Sequence, residues 1–553
     1  MNFIANESPT KLRGGYYTPP DIARFLTRWV FETNPDFILE PSCGDGIFLD
    51  AINHVNGNAA RVIAVERDAE EAGKARQRAA DLGQSKTQVI LEDFIKWGLL
   101  NISQPAKFDA VLGNPPFIRY QYLDNAQQVL MEKVFQLFHL PFTKHTNAWV
   151  PFIILSIAHL KAGGRLGMVV PSEILHVLHA QPLRTFLAST CSKIQVIDPE
   201  ELWFGETLQG VVLLLAEKKV SESAPEQGVA ITQVRDRRFL EKNPSDMFNQ
   251  ASYLNGEVIK GKWMLGLLSQ SQRDLLGDIV QRPTVTRFKQ LASVDVGIVT
   301  GANKFFLVTD ATVAEYELKD WVHPMFGRSE HAPGVVYGLD THAANKEVGF
   351  PTNFLWFQET EIAKYPQRVQ EYIKQGESDG LHRRYKCRVR TPWFKVPSVY
   401  TTPVGMLKRC HDYPRLILNR ANAYTTDTAY RILPKAIAAE RFVYSFINSL
   451  TALSAELEGR HYGGGVLELV PSEIERLIIP TVEVPVLIGD LDRLIRAGTP
   501  AEKLLARQNQ IILGGIGVSQ AEQDTLLDAW DHLRSRRQRS QSKARLAAVA
   551  VSR

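Results

Sequence analysis

Between Asp36 and Lys218, short β-rich runs alternate with helical segments. Parallel strands need a crossover, and a helical crossover must pack on a face of the sheet, so this rhythm predicts a mostly parallel sheet covered on both sides. Seven strands are expected: Phe37–Glu40, Arg61–Glu66, Gln88–Leu91, Phe108–Gly113, Arg165–Val170, Gln195–Asp198 and Gly210–Glu217. Together they make one large Rossmann-like α/β domain. Its end is placed at residue 225, inside the polar, turn-forming stretch between Val220 and Val229.

Beyond that stretch the alternation fades. Residues 226–485 are rich in aromatic, basic, Gly and Pro residues with irregular short strands, which predicts a mixed α+β domain suited to recognition. Residues 486–553 return to helical periodicity and finish on the basic run Arg534 to Arg545, read as a solvated, disordered end or as a nonspecific attractor of polyanions. A chain of 553 residues with 44% hydrophobic and 22% charged residues has the balance of an ordered protein with several cores. The net charge of +4 neither demands nor excludes a polyanionic partner, so the placement of charge must decide.

The longest apolar stretch, Ala148 to Leu160, reaches about half of a bilayer span and reads as a buried helix. Met1 to Ser8 lack the pattern of an export signal, so a cytoplasmic location is expected. Cys43, Cys191, Cys387 and Cys410 lack paired metal-ligand spacing and read as reduced structural thiols, with no metal expected.

The first strand runs into Pro41-Ser42-Cys43-Gly44-Asp45-Gly46 and then a helix. Gly44 and Gly46 fall where backbone must turn tightly beside a ligand, but Leu49 stands where a dinucleotide fingerprint would carry its third glycine. A cofactor without phosphates fits better, and S-adenosylmethionine, a nucleoside joined to an amino acid and a sulfonium, calls for carboxylates. Glu40, Glu66 and Asp93 stand at three successive strand ends and would converge on one crevice at the carboxyl edge of the sheet. Glu66 would accept ribose hydroxyls and Asp93 the adenine amine, with Phe94 packing on the ring. Each acid taken singly is equally a solvated loop residue, and Asp68 is assigned a surface role.

After the fourth strand comes Asn114-Pro115-Pro116-Phe117. An exocyclic amine on a heteroaromatic ring is a poor nucleophile because its lone pair is delocalised. The Asn114 side-chain oxygen and the Pro115 carbonyl can accept both amine hydrogens, which localises that lone pair. The prolines hold the acceptors rigidly, and Phe117 would stack on the target base. A bare turn at the end of a strand is the alternative for Asn-Pro-Pro alone; its place one strand after the three acids is what makes it specific.

This order of motifs resembles the γ-class N6-adenine DNA methyltransferases of restriction-modification systems, the TaqI-like group. The likeness spans about Lys11 to Lys218 and includes Tyr17-Thr18-Pro19-Pro20, similar to that family's N-terminal cofactor segment. It implies that Thr18 and Pro19 touch the methionine moiety. The implied cofactor set is Thr18, Pro19, Glu40, Gly44, Asp45, Gly46, Glu66, Asp93, Phe94, Asn114 and Pro116. The implied catalytic set is Asn114, Pro115, Pro116, Phe117 and Phe204. Phe204, in Leu202-Trp203-Phe204-Gly205-Glu206-Thr207, takes the place of the family aromatic that sandwiches a flipped base, with Trp203 as rival. Phe117 departs from the Tyr more frequent there, losing a hydroxyl but keeping the stacking face.

An amine inside a duplex must be extruded, which calls for phosphate anchors and residues that read base edges. His382 to Lys395 interleaves cations with aromatics, giving Arg383, Arg384, Arg388, Arg390 and Trp393 as candidates; a solvated basic strand is the other reading. Gly297 to Phe306 and Gly459 to Gly465 resemble segments of XhoI-like target-recognition domains and add Asn303, Lys304, Arg460 and Tyr462. The implied partner is double-stranded DNA, bound by a monomer, with a cognate restriction endonuclease acting separately and no nuclease fused to this chain. The rival readings are a cytosine-N4 methyltransferase, a protein-glutamine methyltransferase and a noncatalytic DNA-recognition subunit. The length and basic-aromatic loops of the second half disfavour a peptide substrate. The intact Asn114 to Phe117 disfavours a noncatalytic role.

Overall fold

The computed structural model describes residues 17–201, 203, 210–255, 261–462 and 464–551, with side chains to residue 539. The chain divides into two compact units, Met1–Ser269 with Arg539–Arg553, and Gln270–Gln538.

The first unit is built on an eight-stranded sheet. Its elements in chain order are α1 (Pro20–Phe31), β1 (Phe37–Glu40), α2 (Ile47–His54), β2 (Arg61–Glu66), α3 (Ala69–Asp81), β3 (Thr87–Leu91), α4 (Phe94–Asn101), β4 (Phe108–Gly113), α5 (Asn125–Leu137), α6 (Trp149–His159), β5 (Leu160–Pro171), α7 (Gln181–Thr190), β6 (Cys191–Pro199), β7 (Val211–Lys218) and β8 (Gly228–Val234). The strand order is β3-β2-β1-β4-β5-β7-β6-β8. β7 runs antiparallel to both of its neighbours, and the other pairs are parallel. All seven expected strands are present, and β8 is an addition: its Val229 and Ala230 are buried beside β6. The sheet therefore continues past residue 225, where the sequence had suggested an end, and the first unit extends to Ser269.

Apolar patterning explains the layers. β7 reads Val-Val-Leu-Leu-Leu-Ala and is buried throughout that run, as a strand covered on both faces must be. α6 is buried along nearly its whole length, so the apolar stretch at 148–160 is an interior helix, and among the described residues no helix is long and apolar enough to cross a membrane. α1 opens on Pro20, whose missing N–H costs nothing in the first turn, and buries Phe25 and Trp29. The Trp29 indole donates to the Leu166 carbonyl at 3.3 Å and lies 3.9 Å under the Arg165 guanidinium, which fixes α1 on β5. Side chains of this size each contribute about 1.5–3 kcal/mol on burial. The chain reverses direction across the sheet between β1 and β4, which sets a crevice at their carboxyl ends.

The second unit carries a five-stranded sheet in the order Ala292–Val296, Ala429–Pro434, Val404–Leu407, Leu416–Asn419 and Val336–Tyr337. Smaller sheets of four and three strands accompany it, with helices that include Gln367–Ser378, Ser449–Glu458 and Ala501–Ile512. Residues 486–538 group with this unit rather than forming a separate segment. The basic end also differs from expectation: Arg534 to Arg539 belong to a helix, Gln520–Val551, and are not a solvated coil. Arg537 is fully buried there, donating to both Glu456 oxygens at 3.0 and 2.6 Å and to the carbonyls of Gly465 and His411. Burial alone would raise the Glu456 carboxyl; the facing Arg537, with His461, outweighs it and brings the carboxyl down to about 2.

Candidate active site

At the carboxyl ends of β1 to β4 lies a cavity of about 410 Å³. Its walls include Tyr17, Thr18, Gly44, Asp45, Glu66, Asp93, Phe94, Asn114 and Pro116, which the sequence had singled out from five separate segments. The volume is that of a small-molecule site.

The turn after β1 is built on left-handed backbone. Gly44 has φ +51° and a Cβ there would meet open space, so glycine is required by conformation. Gly46 has φ +89° and a Cβ would come within 3.1 Å of Leu49 and 3.4 Å of the Ala75 backbone, so it serves both the turn and the approach of α3. The Glu66 carboxylate crosses from β2 to this turn, accepting the Gly44 amide at 2.9 Å and the Asp68 amide at 2.8 Å. Both Glu66 oxygens are therefore oriented before any ligand arrives, with a second lone pair on each for a hydroxyl.

Glu40 is 1% exposed, and both its carboxylate oxygens lack a hydrogen-bond partner. Burial, then the charges of Glu66 and Asp45, hold its carboxyl well above the usual range, against the opposing pull of Arg78. A bare buried carboxyl is costly, and this one, next in the chain to Pro41 of the cavity wall, fits a cationic ligand group. Arg78 is taken up by Asp45 at 3.1 Å and Asp50 at 2.9 Å.

At the other end of the cavity Asp93 caps α4, accepting the Lys96 amide at 3.1 Å through one oxygen and the Gln127 side-chain amide at 3.3 Å through the other. Phe94 is buried against Phe152, 5.0 Å between ring centroids, and both rings line the cavity. Asn114 is held on two sides. Its side-chain amide donates to the Thr18 hydroxyl at 3.1 Å, and its carbonyl accepts the Ser42 hydroxyl at 3.0 Å. Thr18 thus meets the Asn114–Phe117 segment directly.

Some expected residues stand back from the cavity. Glu40, Pro19, Gly46, Pro115 and Phe117 are absent from its lining, and Phe117 packs partly buried against the main core. Asp68 differs from its surface assignment: it caps α3, accepting the Glu70 amide at 2.9 Å and the Glu71 amide at 3.3 Å, and lines the cavity. Ile118, Leu123, Gln127 and Phe152 also line it, from positions without a motif to mark them. Of the two aromatics after β6, Phe204 lies outside the described residues. Trp203 is buried at 3% exposure and stacks on Phe239 at 5.6 Å and 10°, a core packing role.

In the second unit the turn at 300–303 packs on the short helix Tyr385–Arg388, because a Cβ on Gly301 would lie 2.7 Å from that of Lys386. Two of the three candidate segments therefore meet. Arg383, Arg384, Arg388, Asn303 and Lys304 are exposed there. Arg388 and Lys386 lie 5.5 and 5.6 Å over the Tyr385 ring. Arg390 and Trp393 are spent on folding instead: Arg390 donates to the Thr300 carbonyl at 2.8 Å, and Trp393 is 8% exposed beside Phe305 with its indole on Glu377 at 3.1 Å. Arg460 is likewise tied, to the buried Glu473 at 3.1 Å, while Tyr462 is exposed in the strand Arg460–Tyr462. All four cysteines are free, three of them buried, and among the described residues no cluster of His, Cys, Asp and Glu could hold a metal.

Two family models match this chain: the C-terminal domain of the Type II methyltransferase M.Eco57I over residues 260–513, and the Eco57I restriction-modification methylase over residues 59–204. Among curated proteins it is similar to the Type II methyltransferase M.AccI of Acinetobacter calcoaceticus, 22% identical over 83% of this chain and 84% of that one. It is also similar to M.XamI of Xanthomonas campestris pv. amaranthicola, 23% identical over 85% of each chain. M.BanIII of Aneurinibacillus aneurinilyticus is 26% identical over 77% of this chain and 81% of its own.

Proposed function

We propose that this chain, a restriction-modification DNA methyltransferase of the γ class, methylates the N6 amine of an adenine turned out of the duplex. The observation that carries the reading is the meeting of Asn114 with the acid-lined cavity, with Thr18 and Ser42 fixing the orientation of its amide and carbonyl. S-adenosylmethionine, when bound, supplies an electrophilic methyl group. Glu40 would neutralise positive charge on the methionine part, Glu66 would hold ribose hydroxyls, and Asp93 with Phe94 would seat the nucleobase. The Asn114 side-chain oxygen and the Pro115 carbonyl accept the two hydrogens of the target amine, leaving its lone pair free to attack. Phe117 offers a face to the target base, and Phe204 is assigned its other side. After transfer the nitrogen carries an extra proton, which passes to solvent.

The exposed cluster of Arg383, Arg384, Arg388, Asn303 and Lys304 supports a DNA-facing role for this part of the second unit, with Tyr462 as a further contact. The protein is assigned to the cytoplasm, where it protects DNA from a separately encoded endonuclease. The decisive experiment incubates the purified chain with tritiated cofactor and genomic DNA, followed by nucleoside analysis. N6-methyladenine in a fixed sequence is the expected product. N4-methylcytosine, or label only in protein, overturns the assignment.

A further inference from the structure

The segment leaving Asn114–Phe117 runs through Ile118 and Leu123, both in the cavity wall, into α5. Its first turn is tightly specified. The Asp124 side chain caps the helix by accepting the Gln127 backbone amide at 2.9 Å. The Gln128 amide ties the same turn back to the Tyr120 and Leu123 carbonyls, each at 3.1 Å, and the Tyr120 hydroxyl donates to Glu132 at 2.7 Å. Gln127 is thereby fixed with its side-chain amide on Asp93 at 3.3 Å, and both residues face the cavity beside Phe94.

We infer that Gln127 is a specificity-determining positioning residue for the nucleobase of the bound cofactor, acting through Asp93. A carboxylate accepts hydrogen bonds in any rotation, so alone it reads an exocyclic amine loosely. Here one Asp93 oxygen is committed to the Lys96 amide and the other to Gln127, so the carboxylate plane is set and its remaining lone pairs point in fixed directions. A purine with an amine meets a matched acceptor. A purine with a carbonyl in that place meets an acceptor with an acceptor, and a buried mismatch of this kind is rejected far more strongly than a missing contact. No motif marks Gln127; its role comes from the helix that follows the catalytic segment, so the same stretch of chain supports both the amine-holding residues and the base seat.

The inference rests on the reading of this cavity as the S-adenosylmethionine site. The test measures binding of S-adenosylhomocysteine and of S-inosylhomocysteine to the full chain by calorimetry, for the wild type, Gln127→Leu and Gln127→Glu. The wild type is expected to prefer the adenine ligand by about 30-fold or more, a charged hydrogen bond's worth of discrimination. Gln127→Leu, similar in shape and without the amide, is expected to bring that preference below about 5-fold, mainly by loss of the adenine ligand. Gln127→Glu sets a second carboxylate against Asp93 and should weaken the adenine ligand further, with recovery at low pH where the pair takes up a proton. An unchanged ratio in Gln127→Leu, or equal weakening of both ligands, overturns the role of Gln127 while leaving the cofactor site standing. Failure of the wild type to bind either ligand overturns the cofactor reading itself, and this inference with it. Thermal melting of each variant separates loss of discrimination from loss of fold.

Discussion

The cavity of the first unit and the basic-aromatic segments of the second carry different signals in the sequence, and the structure treats them differently. In the first unit, residues from five segments arrive in one place, because the position of a residue at the end of a parallel strand determines where it faces. In the second, residues chosen for their chemistry alone divide into those left exposed, such as Arg388, and those used to build the unit, such as Arg390 and Trp393. Composition marks what a side chain could do. Topology decides whether it is free to do it.

That contrast can be broken most sharply at Asn114. Asn114→Ala is expected to lower methyl transfer about 10³-fold, the scale for one preorganised hydrogen-bonding group, while cofactor binding by calorimetry changes little. Retained turnover would mean that the converging residues form a binding site without the proposed chemistry. Trp393→Ala tests the other side of the comparison. It should cost at least about 3 kcal/mol in urea unfolding of the second unit, as large aromatic truncations in a core do. A DNA-binding defect with unchanged stability would return Trp393 to the interface.

Glu40→Gln comes next in size. Cofactor affinity is expected to fall about 10- to 100-fold, since a charge-assisted contact is lost. The ligand-free chain should respond in the opposite sense. A carboxyl held above its ordinary range contributes its full share to stability only at low pH, and that share is lost as pH rises from the unfolded value of about 4.5. The substitution should therefore flatten the decline of ligand-free stability above pH about 5. A melting profile that keeps its slope would show that Glu40 is compensated in solution. The smallest effect is expected for single alanines at Arg383, Arg384 and Arg388: each should weaken DNA binding uniformly across sequences and reduce the salt dependence by about one counterion. An unaltered salt slope in all three would place the DNA elsewhere.

Much of the first unit was legible because its signals are local and strict. β-rich runs separated by helical stretches gave seven strands within a few residues of their ends, and Gly44 and Gly46 carry the left-handed backbone that their turn required. The eighth strand was missed because Gly228–Val234 follows a polar turn that resembles a linker; only its parallel pairing with β6 shows that the sheet continues. Asp68 follows a strand, a position that gives no hint that a helix cap can also face a cavity. Gln127 was invisible for a related reason: it reaches Asp93 through a helix whose placement depends on tertiary contacts. The basic end reads as solvated because a run of arginines does not reveal its acidic partners, 81 residues away for Arg537 and Glu456.

That last pair bears on what a single substitution in the helix Gln520–Val551 would look like. Arg537→Met changes one side chain, yet it strips the guanidinium from Glu456, which is 0% exposed. Removing one partner of a buried ion pair costs about 3–5 kcal/mol, much of the stability of an ordinary domain. Such a variant would behave as a folding defect, not as the loss of a surface charge, and a second-site change of Glu456 to an apolar residue is where its suppressors should be sought.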